Sequence, residues 1–494
     1  MNKRFLSLLI SAVSVFSATV IPCTTAFAEE APSVTLRVCN WEEYIDLGDW
    51  DEDETIELES GDITSENSMI KDFENWYYET YGIRVNVEYS TFGTNEDLYN
   101  RLMLGDTYDI ICPSEYLIMK LMTENALVPL SDSFFDTSVE ENYYIRGLSP
   151  YISSVFNENK INDEEWSRYM AGYMWGITGI VYNPEYVPKE DASSWTILND
   201  PQYKRAVTIK DNVRDSYFAA VGAIKHDLLT DESFLSSPDY KERLLEEMND
   251  VSDETIAVVQ DYLQSVKNNA YSFETDSGKA DMITGKVLAN YQWSGDAVYT
   301  MDQADEDDYT LNFAVPAEST NIYFDGWVML KSGIGNDTAK QHAAEAFMNF
   351  LSRPDNAIRN MYYIGYTSVI SGGDDDRIFE YVDYCYGAEE DETDVTEYPL
   401  DYFFSDDPSS DEYTLTVPTE QLDRQLSAQY PSADALDRSS VMLNFDNERN
   451  DKINHMWINV RCFNINNIPV VLRILICAVI AGAVVFLVRN KRRH

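Results

Sequence analysis

Histidine and cysteine are scarce in this chain, and basic residues are few. Four histidines are present, His226, His342, His455 and His494, and none lies near a Ser, Cys or acid pattern that suggests a catalytic triad. Six cysteines are scattered with no CxxC or Cys/His spacing, so neither a zinc site nor a redox motif is readable. Cys39 and Cys112 each end a predicted strand, which suits buried small apolar residues better than a disulfide. Against 86 acidic residues stand 36 Lys and Arg, a formal net charge of −50. Phosphate binding needs clustered Lys and Arg, so nucleic acid is excluded as a partner. The same imbalance favours cationic ligands, although most of these carboxylates do no more than solvate the surface.

Long apolar runs are confined to the two ends. Met1-Asn2-Lys3-Arg4 gives a basic start, Phe5 to Ile21 is apolar, and Ala26-Phe27-Ala28 reads as a cleavage site, which predicts a signal peptide over 1–28. Pro22 sits where lipidation of Cys23 wants a small residue. Ile468 to Val488 is apolar apart from Arg473 and is followed by the basic tail 489–494. That pattern predicts a transmembrane helix over 468–488 and an extracytoplasmic domain tethered to the cell membrane by a single pass. No LPxTG motif precedes it, which argues against wall sorting.

A chain of 494 residues is too long for one core, so two lobes are expected. Leu36 to Cys39 suits a buried strand, and it ends abruptly in Trp41, Glu42, Glu43 and Tyr44. Residues 47–67 read as an inserted acidic surface loop. Ser68 caps a helix that stops at Gly82, Ile83 to Tyr89 alternate as a strand, and a helix starts at Thr94 or Asn95. A short strand ends at Cys112, and Glu115 to Asn125 is helical. This alternation implies a parallel sheet with covering helices, an α/β fold. Further strands are expected at 172–182, 207–209, 287–293 and 322–330, with helices through Ala219 and around Ala346. Residues 374–412 read as acidic loop. Several strands end in an aromatic and a carboxylate: Trp41 with Glu43, Trp293 with Asp296, Tyr323 with Asp325. Ligands in open α/β sheets sit beyond the carboxyl ends of strands, so these ends suggest one shared crevice. Rings and acids together suit positive charges spaced along an apolar chain.

Seven stretches resemble, in order, the extracytoplasmic substrate-binding proteins of spermidine and putrescine ABC importers. They are Asn40-Trp41-Glu42-Glu43-Tyr44, residues 108–116, 175–180 and 211–215, Trp293-Ser294-Gly295-Asp296-Ala297, Tyr323-Phe324-Asp325-Gly326 and Ile364-Gly365-Tyr366. The likeness spans roughly residues 34 to 370, with a weaker echo to about 460. It implies a two-lobed periplasmic-binding-protein-like (type II) fold with hinge crossovers. One lobe holds 34–174 and 326–370, the other 175–325 and 371–462. It further implies a monomer that binds polyamine, hands it to ABC permease subunits, and has no enzyme activity, cofactor or metal.

Carried over, the residue matching Trp41 or Tyr116 walls the site, as do Trp293, Tyr323 and Tyr366. Glu43, Asp215 and Asp325 take the ammonium groups, with Ser114 and Thr275 as polar neighbours, and Tyr44 and Asn212 complete the ligand-binding set. Asn212 stands where some members carry a second Asp, which leaves spermidine against putrescine open, and Tyr323 stands where Trp is commoner. Asp296 is read either as a ligand contact or as a helix cap. A carbohydrate-binding protein, a hydrolase with paired carboxylates and a purely adhesive surface protein are the rival readings.

Overall fold

The computed structural model describes residues 32–462 apart from 52, 53 and 408. The expected signal peptide, the membrane span over 468–488 and the basic tail 489–494 lie outside the described residues.

The chain opens with strand β1 (Ser33–Trp41), helix α1 (Met69–Tyr81), β2 (Arg84–Phe92), α2 (Asn95–Leu104), β3 (Ile110–Ile111) and α3 (Glu115–Thr123). Ser68 caps α1 by accepting from the Lys71 N–H, and Gly82 ends it at φ 67°, a left-handed conformation that glycine adopts without strain. Thr94 caps α2 in the same manner. β1 pairs in parallel with both β2 and β3, as alternating strands and helices require.

Two strands then run through the centre: β4 (Met170–Tyr182), followed by β5 (Val207–Lys210), α4 (Val213–Ile224), β6 (Ser272–Glu274), β7 (Ala289–Trp293), α5 (Ser294–Asp305) and the second long strand β8 (Thr320–Leu330). β4 and β8 are buried along their whole length and pair antiparallel with one another. The sheet order is β2-β1-β3-β8-β4-β7-β5-β6. One end of β8 pairs with β3, and one end of β4 pairs with β7, so these two strands carry the chain between the β1–β3 and β5–β7 halves. Their register slips between Asp325 and Gly326, a bulge that re-aims the side chains there. Buried side chains form two clusters, one around β1, β3, β8 and the helices α6 (Thr338–Leu351) and α7 (Pro354–Ile364), the other around β5, α4 and the last described helix, Asn447–Arg461.

One part of the expected fold class is corrected. The α/β architecture with two crossover strands is present, but among the described residues no helix is long and apolar enough to cross a membrane. The longest, Asp253–Asn269, has 17 residues and a charged outer face, short of the roughly 20 apolar residues that a bilayer core demands. The acidic stretch 374–412 also differs from the expected loop. It holds helix Arg377–Tyr386 and strand Val395–Pro399, which pairs with Thr414–Pro418. Most of its acids are exposed, Asp401 being buried, and Ile378, Tyr381, Val382 and Phe403 are buried with it, the last stacked on Trp175 at 5.5 Å. Apolar residues at helical spacing were present there but diluted by acids.

Candidate functional site

Trp41 ends β1 with its ring 4.5 Å from Phe92 and its indole N–H unpartnered among the described residues. Glu43 turns the chain in the left-handed region at φ 53° and stays exposed. The turn sends Tyr44 back inward. Its carbonyl accepts from Asn40 Nδ2 at 3.1 Å and from the Tyr173 hydroxyl at 2.9 Å. Its own hydroxyl donates to Asp325 Oδ2 at 2.8 Å, and Ser114 Oγ donates to Asp325 Oδ1 at 2.7 Å. Asp325, beside the β8 bulge, is 5% exposed. Burial pushes its carboxyl up to about 6, opposed by those two hydroxyls.

Three phenols pack over this carboxylate. Tyr44 meets Tyr366 edge-on at 4.9 Å, and Tyr323 lies 6.3 Å from Tyr366. The Tyr323 hydroxyl sits 3.3 Å from Ser294 Oγ, and the Tyr366 hydroxyl donates to Asp296 Oδ1 at 3.2 Å. The rings fit because two neighbours are glycines. A Cβ on Gly295 would stand 2.1 Å from Tyr366 Cδ2, and one on Gly176 2.5 Å from the Tyr323 hydroxyl.

From the other half, β7 delivers Trp293, whose indole N–H donates to Asp215 Oδ1 at 3.4 Å. Asp215 lies in the first turn of α4 and is 6% exposed. Burial pushes it up to about 7, with Lys210 and the indole N–H opposing. Asn212 is the cap of α4, its Oδ1 accepting from the Arg214 and Asp215 N–H groups. Tyr116 lies under the Arg214 guanidinium at 4.6 Å and donates to Glu96. Phe445 covers the same guanidinium at 4.2 Å. Thr275 is exposed, and its carbonyl accepts from Lys210 Nζ at 3.1 Å.

Of the residues named from sequence, Tyr44, Ser114, Tyr323, Asp325 and Tyr366 thus form one connected group. Asp215 and Trp293 form a second, linked to it through Lys210, which lies over the Trp293 ring and donates to Asp296, the acceptor of the Tyr366 hydroxyl. Asn212 and Tyr116 are engaged by α4, Trp41 is the last residue of β1, and Glu43 is exposed on the turn that follows. Asp296 neither contacts solvent freely nor caps a helix by side chain. It lies 3.4 Å from Lys210 Nζ and 3.6 Å from Lys279 Nζ. Sequence reasoning missed both lysines, together with Arg214 and the buried Glu115, which burial pushes up to about 8. Lys210 had one readable signal, a charged residue at the end of an apolar strand.

The arrangement is a buried, ring-lined set of carboxylates where the two crossover strands meet, which suits a cationic guest. The sequence profile described as bacterial extracellular solute-binding protein matches residues 68–379, more than half of the chain. The chain belongs to that family. This solute-binding protein is 24% identical over 285 residues to the spermidine/putrescine-binding periplasmic protein of Escherichia coli, covering 57% of this chain and 70% of that one. To the putrescine-binding periplasmic protein PotF of the same organism it is 23% identical over 364 residues, covering 72% and 81%. The spermidine/putrescine ABC transporter substrate-binding protein PotD from Streptococcus pneumoniae shares its fold at a TM-score of 0.54 and 22% identity, covering 87% of this chain and 99% of that one. The TpPotD lipoprotein of Treponema pallidum does so at 0.56 and 16%, covering 86% and 99%. The resemblance read from the ordered motifs is borne out by these relatives.

Proposed function

We propose that this solute-binding protein is the extracytoplasmic polyamine-binding component of an ABC importer, and that it works as a monomer. Its guest is a short apolar chain with ammonium ends, held between two lobes that divide along β4 and β8, near residues 174/175 and 325/326. Ammonium groups pair with Asp325, Asp215 and Glu43, and methylenes lie on the rings of Tyr44, Trp293, Tyr323 and Tyr366. Trp41, Ser114, Tyr116, Asn212 and Thr275 complete the surroundings. The loaded protein then presents the amine to a permease.

The observation that carries this reading is Asp325. It is a buried carboxylate at the crossing of the two halves, given hydrogen bonds by neutral hydroxyls and faced by rings. Among the described residues it makes no ion pair. Burying an unmatched carboxylate is costly, and a guest cation removes that cost. Each charged hydrogen bond to such a guest contributes about 1.5–3 kcal/mol, and cation–π contact about 0.5–2 kcal/mol.

Titration calorimetry of the full chain with putrescine, spermidine and maltose tests the proposal. One-to-one binding of an amine supports it. Binding of maltose with no response to either amine refutes it.

A further inference from the structure

Lys210 carries to the site an ammonium of its own. It ends β5 and is 1% exposed. Its Nζ lies 4.0 Å over the centre of the Trp293 ring. It donates to the Thr275 carbonyl at 3.1 Å and to Asp296 Oδ2 at 3.4 Å, and stands 3.9 Å from Glu274 Oε1. A π face, a carbonyl and carboxylates are what a guest ammonium needs in place of water. One such set is therefore already filled by the chain itself. The opposite oxygen of Asp296 faces Lys279 Nζ at 3.6 Å, so Asp296 is matched twice. Asp215 and Asp325, both buried, make no ion pair among the described residues. They are the buried carboxylates set against the rings, beside the Trp293 N–H and the Tyr44 hydroxyl, and each asks for one ammonium group; buried Glu115 is turned to the Phe324 N–H, and Glu43 is exposed.

We propose that Lys210 is a tethered ammonium occupying one amine position of the cleft, so that this protein selects diamines over triamines. The inference rests on the polyamine reading above. A third guest ammonium placed on the Trp293 face meets Lys210 Nζ, a like charge whose carboxylate partners are already engaged.

Calorimetry with putrescine and with spermidine on the full chain, natural and Lys210→Met, decides the matter. The natural chain should bind putrescine about tenfold or more tightly than spermidine, about 1.4 kcal/mol. Lys210→Met, of similar length and without charge, should erase or invert that ratio by about tenfold through tighter spermidine binding. Equal or tighter binding of spermidine by the natural chain overturns the assignment, as does an unchanged ratio in folded Lys210→Met. If that variant does not fold, Lys210→Gln keeps a donor toward Thr275 and is read in the same way, and the natural chain's ratio decides in either case. Failure of the natural chain to bind either amine defeats the polyamine reading itself, whereas binding of both in the wrong ratio defeats only the role of Lys210.

Discussion

Asp325 receives two hydroxyl hydrogen bonds and lies among rings, so removing its charge while keeping its shape isolates what the charge does. Asp325→Asn is expected to weaken amine binding by about 1.5–3 kcal/mol without unfolding the chain. Calorimetry that finds the same affinity removes Asp325 from the site. The raised carboxyls set the pH dependence. In the folded protein without amine, Asp325 holds its proton up to about 6 and Asp215 up to about 7, whereas an ammonium pairs with the ionised form. Affinity should therefore fall as pH drops through that window, with protons released on binding there. Titrations in buffers of different ionisation enthalpy read this directly, and a proton count of zero contradicts it. For folding the sign is opposite. A carboxyl raised in the folded state adds stability at low pH and loses it as pH rises through the raised value. Without ligand, Asp325→Asn should accordingly gain in Tm relative to the natural chain at about pH 8 and gain less at about pH 5.

At the scale of elements, the site depends on how the β1 turn and the start of α5 are held. Asp46, two residues after Tyr44, is fully buried, and Arg359 of α7 donates to its Oδ2 from Nε at 3.0 Å and from Nη2 at 2.7 Å. The same guanidinium reaches Ser65 Oγ, the Asn67 carbonyl and Asp72. One cation thus ties the acidic insertion 47–67 and the N-terminus of α1 to the turn that aims Tyr44. Arg359→Met leaves Asp46 buried without its partner and should cost about 3–5 kcal/mol in denaturant unfolding. A loss below about 1 kcal/mol contradicts that account. On α5, Gly295→Ala forces a methyl into the Tyr366 ring. About 1–3 kcal/mol of stability should be lost through overpacking, and amine affinity should weaken as the ring moves. Unchanged affinity in a folded Gly295→Ala chain removes Tyr366 from the site.

For the whole molecule, a guest that binds across the two halves stabilises both. At an amine concentration of a hundred times Kd the linkage amounts to about 2.7 kcal/mol, visible as a rise in Tm. The net charge of −50 adds a kinetic consequence. A dication is drawn in by the long-range field, so its association rate should fall steeply with salt as the Debye length shortens to about 8 Å at physiological ionic strength. Stopped-flow tryptophan fluorescence measures that rate, and a salt-independent value argues that steering is absent.

Local chemistry made much of this protein legible from its sequence. The Ser68 cap and the Gly82 stop bound α1 where the pattern predicts, because capping involves only neighbouring residues. Trp41 and Trp293 end their strands as expected, because strand direction and alternation follow short-range rules, whereas Tyr323 and Asp325 lie inside β8, which runs on to Leu330. What the tertiary structure alone decided is which charges meet. Lys210 and Asp296 are 86 residues apart, and Arg359 and Asp46 are 313 apart. Residue type does not disclose such pairings, since ion pairing depends on distance in space and on burial, and both are properties of the folded chain.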